Sequence, residues 1–355
     1  MTNYLLAGGG TAGHVNPLLA LADAIKENSE KHNVYALGTA EGLEKDLVPA
    51  RGYQLLTIAK LPFPRKLNSY ALRFPLKFQG AIKDCVDIIR KNEIDVVVGF
   101  GGYASAPAYL AAKKLGVPVV VHEANALPGW ANKFGAKFAS AVGVAFANTP
   151  LKNAVHVGMP LRKEIELLSS NLDKSAARKY FDLNEDSVTL LVTGGSLGAR
   201  RINDTIESSR KVLSAAGIQV LHIVGGKSDL AETTEKDYVR INYCDRMDLA
   251  IAASNFAVSR AGASTVSEFA AVGLPAAYVP YPVGNGEQKL NVIELVEAGA
   301  AVVVADIDFT PAYVSETLVP LISNSKELAA MSKAAKSAGI NDGAHRLFAL
   351  VQGVL

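Results

Sequence analysis

"LLAGGGTAGHVNP", residues 5–17, joins an apolar run to a glycine cluster, a lone histidine and a proline. A short buried strand that ends in glycines and enters a helix is the opening unit of a doubly wound parallel sheet. Outward from it, apolar runs alternate with longer helical stretches at Tyr4–Ala7, Val34–Leu37, Val96–Gly99, Val117–Val121 and Ala141–Ala145. The pattern restarts with "LLVTGGSLGAR", residues 190–200. Its runs are Val188–Thr193, Val220–Val224, Phe256–Ser259, Ala276–Pro280 and Ala301–Val304. Two such series predict an α/β protein of two Rossmann-like domains facing a cleft, with the crossover in "VHVGMPLRKEI", residues 155–165. The domains are expected at 1–157 and 158–340, followed by a helix in 341–355.

The bulk properties narrow the class. The chain has 355 residues, 49% of them hydrophobic and 20% charged, with 30 glycines, as buried parallel strands and tight turns require. A net charge of +2 supplies no global field for nucleic acid, so no nucleic-acid partner is expected. Cys85 and Cys244 show no metal-ligand spacing, and neither a metal nor a cofactor is expected. No basic leader and no long apolar span are evident, which suggests a protein that neither crosses a membrane nor is exported.

The first glycine turn formally matches the dinucleotide fingerprint Gly8-x-Gly10-x-x-Gly13, but Glu41 is poorly placed as its acidic partner. Asn16 reads as an N-cap and Pro17 as the first helical residue, so the turn is expected to offer backbone N–H groups to an anion. His14 beside those donors is a candidate general base, because the dipoles favour a neutral imidazole able to accept a proton. The plainer alternative is a packing turn with an exposed histidine. "GGYASAP" and "VVVHEAN" bring Tyr103, His122, Glu123 and Asn125 to the carboxyl ends of further strands, where open α/β sheets bind ligands. His122 and Glu123 also fit a pair that merely fixes a loop.

In the second half, "SRAGASTVSEF" predicts a helix start offering N–H groups, Ser264 and Thr265 to a phosphate, with Glu268 one turn on, suited to ribose hydroxyls. A capped helix with a solvated glutamate is the alternative. Glu287, Gln288 and Asn291 lie in a later strand-end loop. Residues 61–82 interleave Arg65, Lys66, Arg73 and Lys77 with Leu61, Phe63, Leu67, Leu72, Phe74, Leu76 and Phe78, a composition suited to an anionic membrane surface or to a packed helix with solvated charges. Asp306 and Asp308 read as structural.

Taken in order, "GGGTAGHVNP", "GGYASAPAYLAAKKLGVPVVVHEAN", "GGSLGARRIN" and "SRAGASTVSEFAAVGLPAAYVPYP" closely resemble the MurG family of bacterial UDP-N-acetylglucosamine:lipid I glycosyltransferases. The resemblance implies a GT-B fold and an inverting transfer of N-acetylglucosamine to the 4-hydroxyl of the muramoyl unit of lipid I, giving lipid II. It implies a final helix returning to the N-terminal domain, and a peripheral enzyme on the cytoplasmic face of the membrane, docked through residues 61–82. By the same resemblance Thr11, Gly13, His14, Asn125, Arg162, Ser196, Ser264, Thr265, Glu268, Gln288 and Asn291 serve the sugar nucleotide. Tyr103, Glu123 and Asn132 serve the acceptor, with His14 and Glu123 the catalytic candidates. The chain departs from the family pattern at Ala12, Ala124, Ser264 and Glu287. A related transferase with a diacylglycerol acceptor, a UDP-N-acetylglucosamine epimerase and a noncatalytic binding protein are the competing readings.

Overall fold

A computed structural model describes residues 1–64, 68–195, 198–283 and 285–355. They form two compact units, one of Met1–Arg162 with Asp342–Leu355, the other of Lys163–Asn341. Gly158 to Arg162 thus belong with the first unit rather than the second.

The strands of unit 1 are β1 (Asn3–Ala7), β2 (Asn33–Thr39), β3 (Gln54–Ile58), β4 (Val96–Gly99), β5 (Val119–Glu123), β6 (Ala141–Val144) and β7 (Val155–His156). They lie in the order β3-β2-β1-β4-β5-β6-β7, all parallel. The order reverses between β1 and β4, the place where such a sheet opens a crevice at its carboxyl edge. Side chains alternate across the sheet. Leu5, Ala7 and Val97 enter one core with Cys85 and Ile89, while Tyr4, Leu6 and Val98 enter another with Leu18, Leu347 and Phe348. Both faces are therefore covered, which explains the unbroken apolar runs.

Helix α1 (Ala12–Asn28) follows β1, α2 (Glu44–Ala50) follows β2, and α3 (Ser69–Lys91) follows β3. Helix α4 (Ser105–Leu115) and the short α5 (Trp130–Gly135) follow β4 and β5. The expected start of α1 at Asn16–Pro17 is corrected. Gly10 at φ +89° already turns the chain, Thr11 is the N-cap, and the Thr11 carbonyl accepts from the N–H groups of His14 and Val15. Pro17 lies inside the helix, and His14 is in its first turn.

Unit 2 holds β8 (Val188–Thr193), β9 (Ile218–Ile223), β10 (Thr233–Glu235), β11 (Tyr238–Ile241), β12 (Phe256–Ser259), β13 (Ala276–Tyr278) and β14 (Ala301–Val303), ordered β10-β11-β9-β8-β12-β13-β14. Only the edge pair β10–β11 is antiparallel among the described residues. The reversal falls between β8 and β12. Helix α6 (Arg200–Ala215) follows β8, and α7 (Ala263–Val272) follows β12. The last helix, α8 (Gly343–Gln352), lays Leu347, Phe348 and Val351 on the unit 1 core beside Tyr4, Leu21 and Ile25. Gly343 lets it approach, since a Cβ there would lie 2.3 Å from the Met159 carbonyl oxygen.

Candidate active site

At the carboxyl edge of unit 1, the turns after β1 and β4 meet around His14. Its Nδ1 lies 3.0 Å from the Gly9 carbonyl oxygen and 3.3 Å from Thr11 Oγ1. A carbonyl only accepts, so this contact places the proton on Nδ1 and leaves the lone pair on Nε2. Among the described residues nothing hydrogen-bonds Nε2, and it faces Gly101, where a Cβ would sit 3.2 Å away. Gly101 is held at φ +91°, so two features disfavour a side chain there: the left-handed backbone and the approach to the imidazole. An imidazole so held is a proton acceptor with an open nitrogen.

At the first turn, where an anion site is expected, one backbone donor is already taken by a side chain of the protein. Glu44, buried at the start of α2, takes the Gly10 N–H on Oε2 at 2.8 Å. Its Oε1 accepts from the Thr39 N–H at 2.9 Å and the Thr39 hydroxyl at 2.8 Å. Burial alone would raise the Glu44 pKa, but those hydrogen bonds outweigh it and hold the carboxyl below its ordinary range. The turn already contains its anion, supplied by the protein.

Glu123, also buried, accepts from the Asn125 N–H (2.9 Å) and side-chain amide (3.4 Å) on Oε1. Its Oε2 accepts from the Gly129 N–H and from Asn132 Nδ2, both at 2.9 Å. Asn132 in turn donates to the His122 carbonyl at 3.0 Å and accepts from the Tyr109 hydroxyl at 2.8 Å. These partners occupy Glu123 and Asn132 in organising the loop between β5 and α5. His122 is wholly buried and bonds the Gly158 carbonyl through Nε2 at 3.1 Å; desolvation lowers its pKa to about 4, so it stays neutral. Tyr103 is exposed, and Arg162, half-buried, closes unit 1.

Unit 2 contains a cavity of about 800 Å³ at its own reversal point, lined by Gly194, Gly195, Gly198, Arg200, Arg201, Arg260, Thr265, Gln288 and Asp306 among others. Helices α6 and α7 both begin there without a side-chain cap, so their first N–H groups are disposed to meet an anion. Gln288 Oε1 accepts from the Ala261 (3.2 Å) and Tyr281 (2.9 Å) N–H groups, which orients its Nε2 as a donor. Asn291 donates to the Ala261 carbonyl at 3.2 Å and is buried under the same turn. Ser264 and Glu268 lie on α7 without forming the cavity wall. Ser196 lies outside the described residues, as do Arg65, Lys66 and Leu67.

Sequence reasoning missed Glu44, Arg201 and Arg260, and it assigned Asp306 no role at the site. Asp306 pairs with Arg260 at 2.6 Å and with Arg201 at 3.3 Å on the cavity wall. Arg260 also donates to the Val279 carbonyl at 3.0 Å, tying the β12 turn to the end of β13. The Arg260 position adjoins the glycine turn and was legible as a motif neighbour; Glu44 had no local signal.

Residues 4–144 match the glycosyltransferase family 28 N-terminal domain, and residues 189–347 its C-terminal domain. A Clavibacter sepedonicus protein named "UDP-N-acetylglucosamine--N-acetylmuramyl-(pentapeptide) pyrophosphoryl-undecaprenol N-acetylglucosamine transferase" is 56% identical over 99% of this chain and 96% of its own. A protein of the same name from Leifsonia xyli subsp. xyli is 54% identical over 99% and 98%. The crystal structure of Acinetobacter baumannii MurG matches with a TM-score of 0.79 at 27% identity, covering 99% of this chain and 100% of that one. The chain belongs to the MurG family of glycosyltransferases. Its two parallel-sheet units are the GT-B architecture of that family, and the cavity of unit 2 lies within the stretch matched to the family 28 C-terminal domain.

Proposed function

We propose that this MurG-family enzyme transfers N-acetylglucosamine from UDP-N-acetylglucosamine to the 4-hydroxyl of the muramoyl unit of lipid I, releasing UDP and forming lipid II. The observation that carries the reading is the 56% identity, along 99% of the chain, to a relative bearing that name. The geometry supports it. A direct displacement with inversion needs one base and a stabilised leaving group, whereas a double displacement needs a carboxylate nucleophile. His14 has the open Nε2 to take the proton from the attacking hydroxyl, while Glu123 is occupied by four N–H donors. Glu123 and Asn132 then shape the acceptor loop rather than move a proton.

The leaving diphosphate gains negative charge as the glycosidic bond breaks. In unit 2 the starts of α6 and α7, with Arg200 and Arg201 on the cavity wall, supply N–H dipoles and cations to receive it. Ser264 and Thr265 at the α7 start serve the phosphates, Gln288 with Asn291 nearby the sugar, and Glu268 the ribose. With donor groups on one unit and the base on the other, the reaction requires both units to engage their ligands together.

Membrane docking belongs to the same proposal. No helix among the described residues is long and apolar enough to cross a membrane. Yet Leu72 and Leu76 on α3 are 82% and 73% exposed, and Phe63 and Trp130, also exposed, have ring centroids 5.1 Å apart. Arg73 and Lys77 each directly follow one of these leucines, and Lys77 sits 5.3 Å over the Tyr70 ring. Apolar tips with interleaved cations suit the anionic cytoplasmic face of a membrane. The deciding experiment incubates purified protein with labelled UDP-N-acetylglucosamine, with and without a lipid I analogue. Acceptor-dependent β-linked disaccharide is expected. Epimerised sugar nucleotide, or no transfer to an acceptor that a known enzyme accepts, overturns the reading.

A further inference from the structure

Glu44 lies thirty positions from His14 in the sequence and does not touch it. The two are nonetheless joined through one peptide group. Glu44 Oε2 receives the Gly10 N–H at 2.8 Å, and the Gly9 carbonyl receives His14 Nδ1 at 3.0 Å. That N–H and that carbonyl belong to the same planar trans amide and point in opposite directions. The amide is thus held at both ends.

The pocket around the carboxylate is built for it. A Cβ on Gly9 would fall 2.4 Å from Glu44 Oε1, one on Gly38 2.5 Å from its Cγ, and one on Gly42 2.1 Å from Oε2. Its other donors, the Thr39 N–H and hydroxyl and its own backbone N–H, are neutral. A peptide between two glycines flips readily, because neither residue has a Cβ to forbid the rotated state. Were it to flip, an N–H would face the imidazole, Nδ1 would become the acceptor, and Nε2 would carry the proton. That tautomer cannot act as a base through Nε2.

We propose that Glu44 is a positioning residue: its carboxylate clamps the Gly9–Gly10 peptide and so selects the imidazole tautomer in which His14 Nε2 is free to accept a proton. A carboxylate commonly orients a histidine by direct contact; here an amide is interposed. The negative charge at the N–H end also polarises the amide and strengthens the carbonyl as an acceptor. The inference rests on the reading of His14 as the base.

The test is nitrogen NMR on the full chain labelled at histidine, at a pH where the ring is neutral, beside steady-state kinetics. The unsubstituted protein is expected to show His14 as the Nδ1–H form. Glu44→Gln must set an N–H donor against either Gly10 or Thr39, so its spectrum is expected to move toward the Nε2–H form. Its kcat falls about tenfold or more, with KM for UDP-N-acetylglucosamine unchanged. Glu44→Asp keeps the charge but withdraws it by one methylene, and is expected to do the same if the Gln variant does not fold. An Nε2–H form in the unsubstituted protein overturns the inference. So does an unchanged tautomer in a folded Glu44 variant, whatever its activity. Full turnover by His14→Ala overturns the base reading instead and leaves the tautomer result standing.

Discussion

The turn after β1 and the turn after β8 occupy the same place in two sheets of the same parallel design, each beside the strand where the order reverses. They are used in opposite ways. In unit 1 the Gly10 N–H is taken by Glu44 and the Gly9 carbonyl by His14, so the turn serves as a mount for an imidazole. In unit 2 the turn opens into a cavity of about 800 Å³ walled by arginines. A strand-glycine-helix motif therefore specifies backbone geometry, and a side chain from elsewhere decides whether its donors meet the protein or a ligand.

Removing the imidazole gives the largest contrast. His14→Ala is expected to lower kcat by about a hundredfold or more, while calorimetry finds UDP affinity within about threefold, since a lost base removes transition-state rather than ground-state binding. Comparable losses in both would mean that His14 chiefly holds the donor. Next, Gly101→Ala puts a methyl 3.2 Å from Nε2 on a left-handed backbone. It is expected to reduce kcat by tens of fold (~1 to 3 kcal/mol), again sparing UDP binding. An alanine that leaves turnover intact would show that Nε2 does not need that opening.

On the other unit, Gln288→Glu keeps an acceptor for the Ala261 and Tyr281 N–H groups but removes the Nε2 donor. A rise of about tenfold in the donor KM is expected, with the His14-dependent step unaltered; steady-state kinetics at saturating acceptor reads it. A further contrast concerns stability rather than turnover. Desolvation holds His122 in unit 1 at about 4 and His222 in unit 2 at about 3, so both are neutral when folded. Unfolding frees each to take a proton below its ordinary value of about 6.5. Stability is therefore full above that pH and lost as pH falls, through about 4 for His122 and about 3 for His222, by up to about 1.4 kcal/mol per pH unit for each. Urea midpoints between pH 7 and pH 4 should decline, and His122→Leu should flatten part of that slope; an unchanged slope would place the proton uptake elsewhere.

The two histidines also show what was legible and what was not. "LLAGGGTAGH" identifies a turn with a histidine near a helix start, and the ordered motifs point to the family. The sequence places His14 at a glycine turn and His222 inside an apolar run, but not their partners: His222 bonds Asn203 Oδ1 through Nε2 at 3.1 Å and accepts the Tyr238 hydroxyl on Nδ1 at 2.6 Å, which occupies both nitrogens. The edge strands β3 and β10, and β11 beside the latter, were missed because they are short and partly polar, without the unbroken apolar run of a doubly covered strand. Glu123 was legible as a strand-end carboxylate with a loop-fixing alternative, but its donors, Asn125, Gly129 and Asn132 rather than His122, were not.

What the sequence by itself determined is periodic or contiguous: the central parallel strands, the glycine turns, the two-unit organisation and the motifs of the family. These depend on nearest neighbours along the chain and on alternation of apolar side chains. Only the tertiary structure decided which nitrogen of His14 stays open, that Glu123 is occupied, that Asp306 belongs to a cavity wall and that Glu44 supplies the anion of the first turn. Each of those depends on groups brought within hydrogen-bonding distance by strand order, and hydrogen bonds act over about 3 Å regardless of separation along the chain.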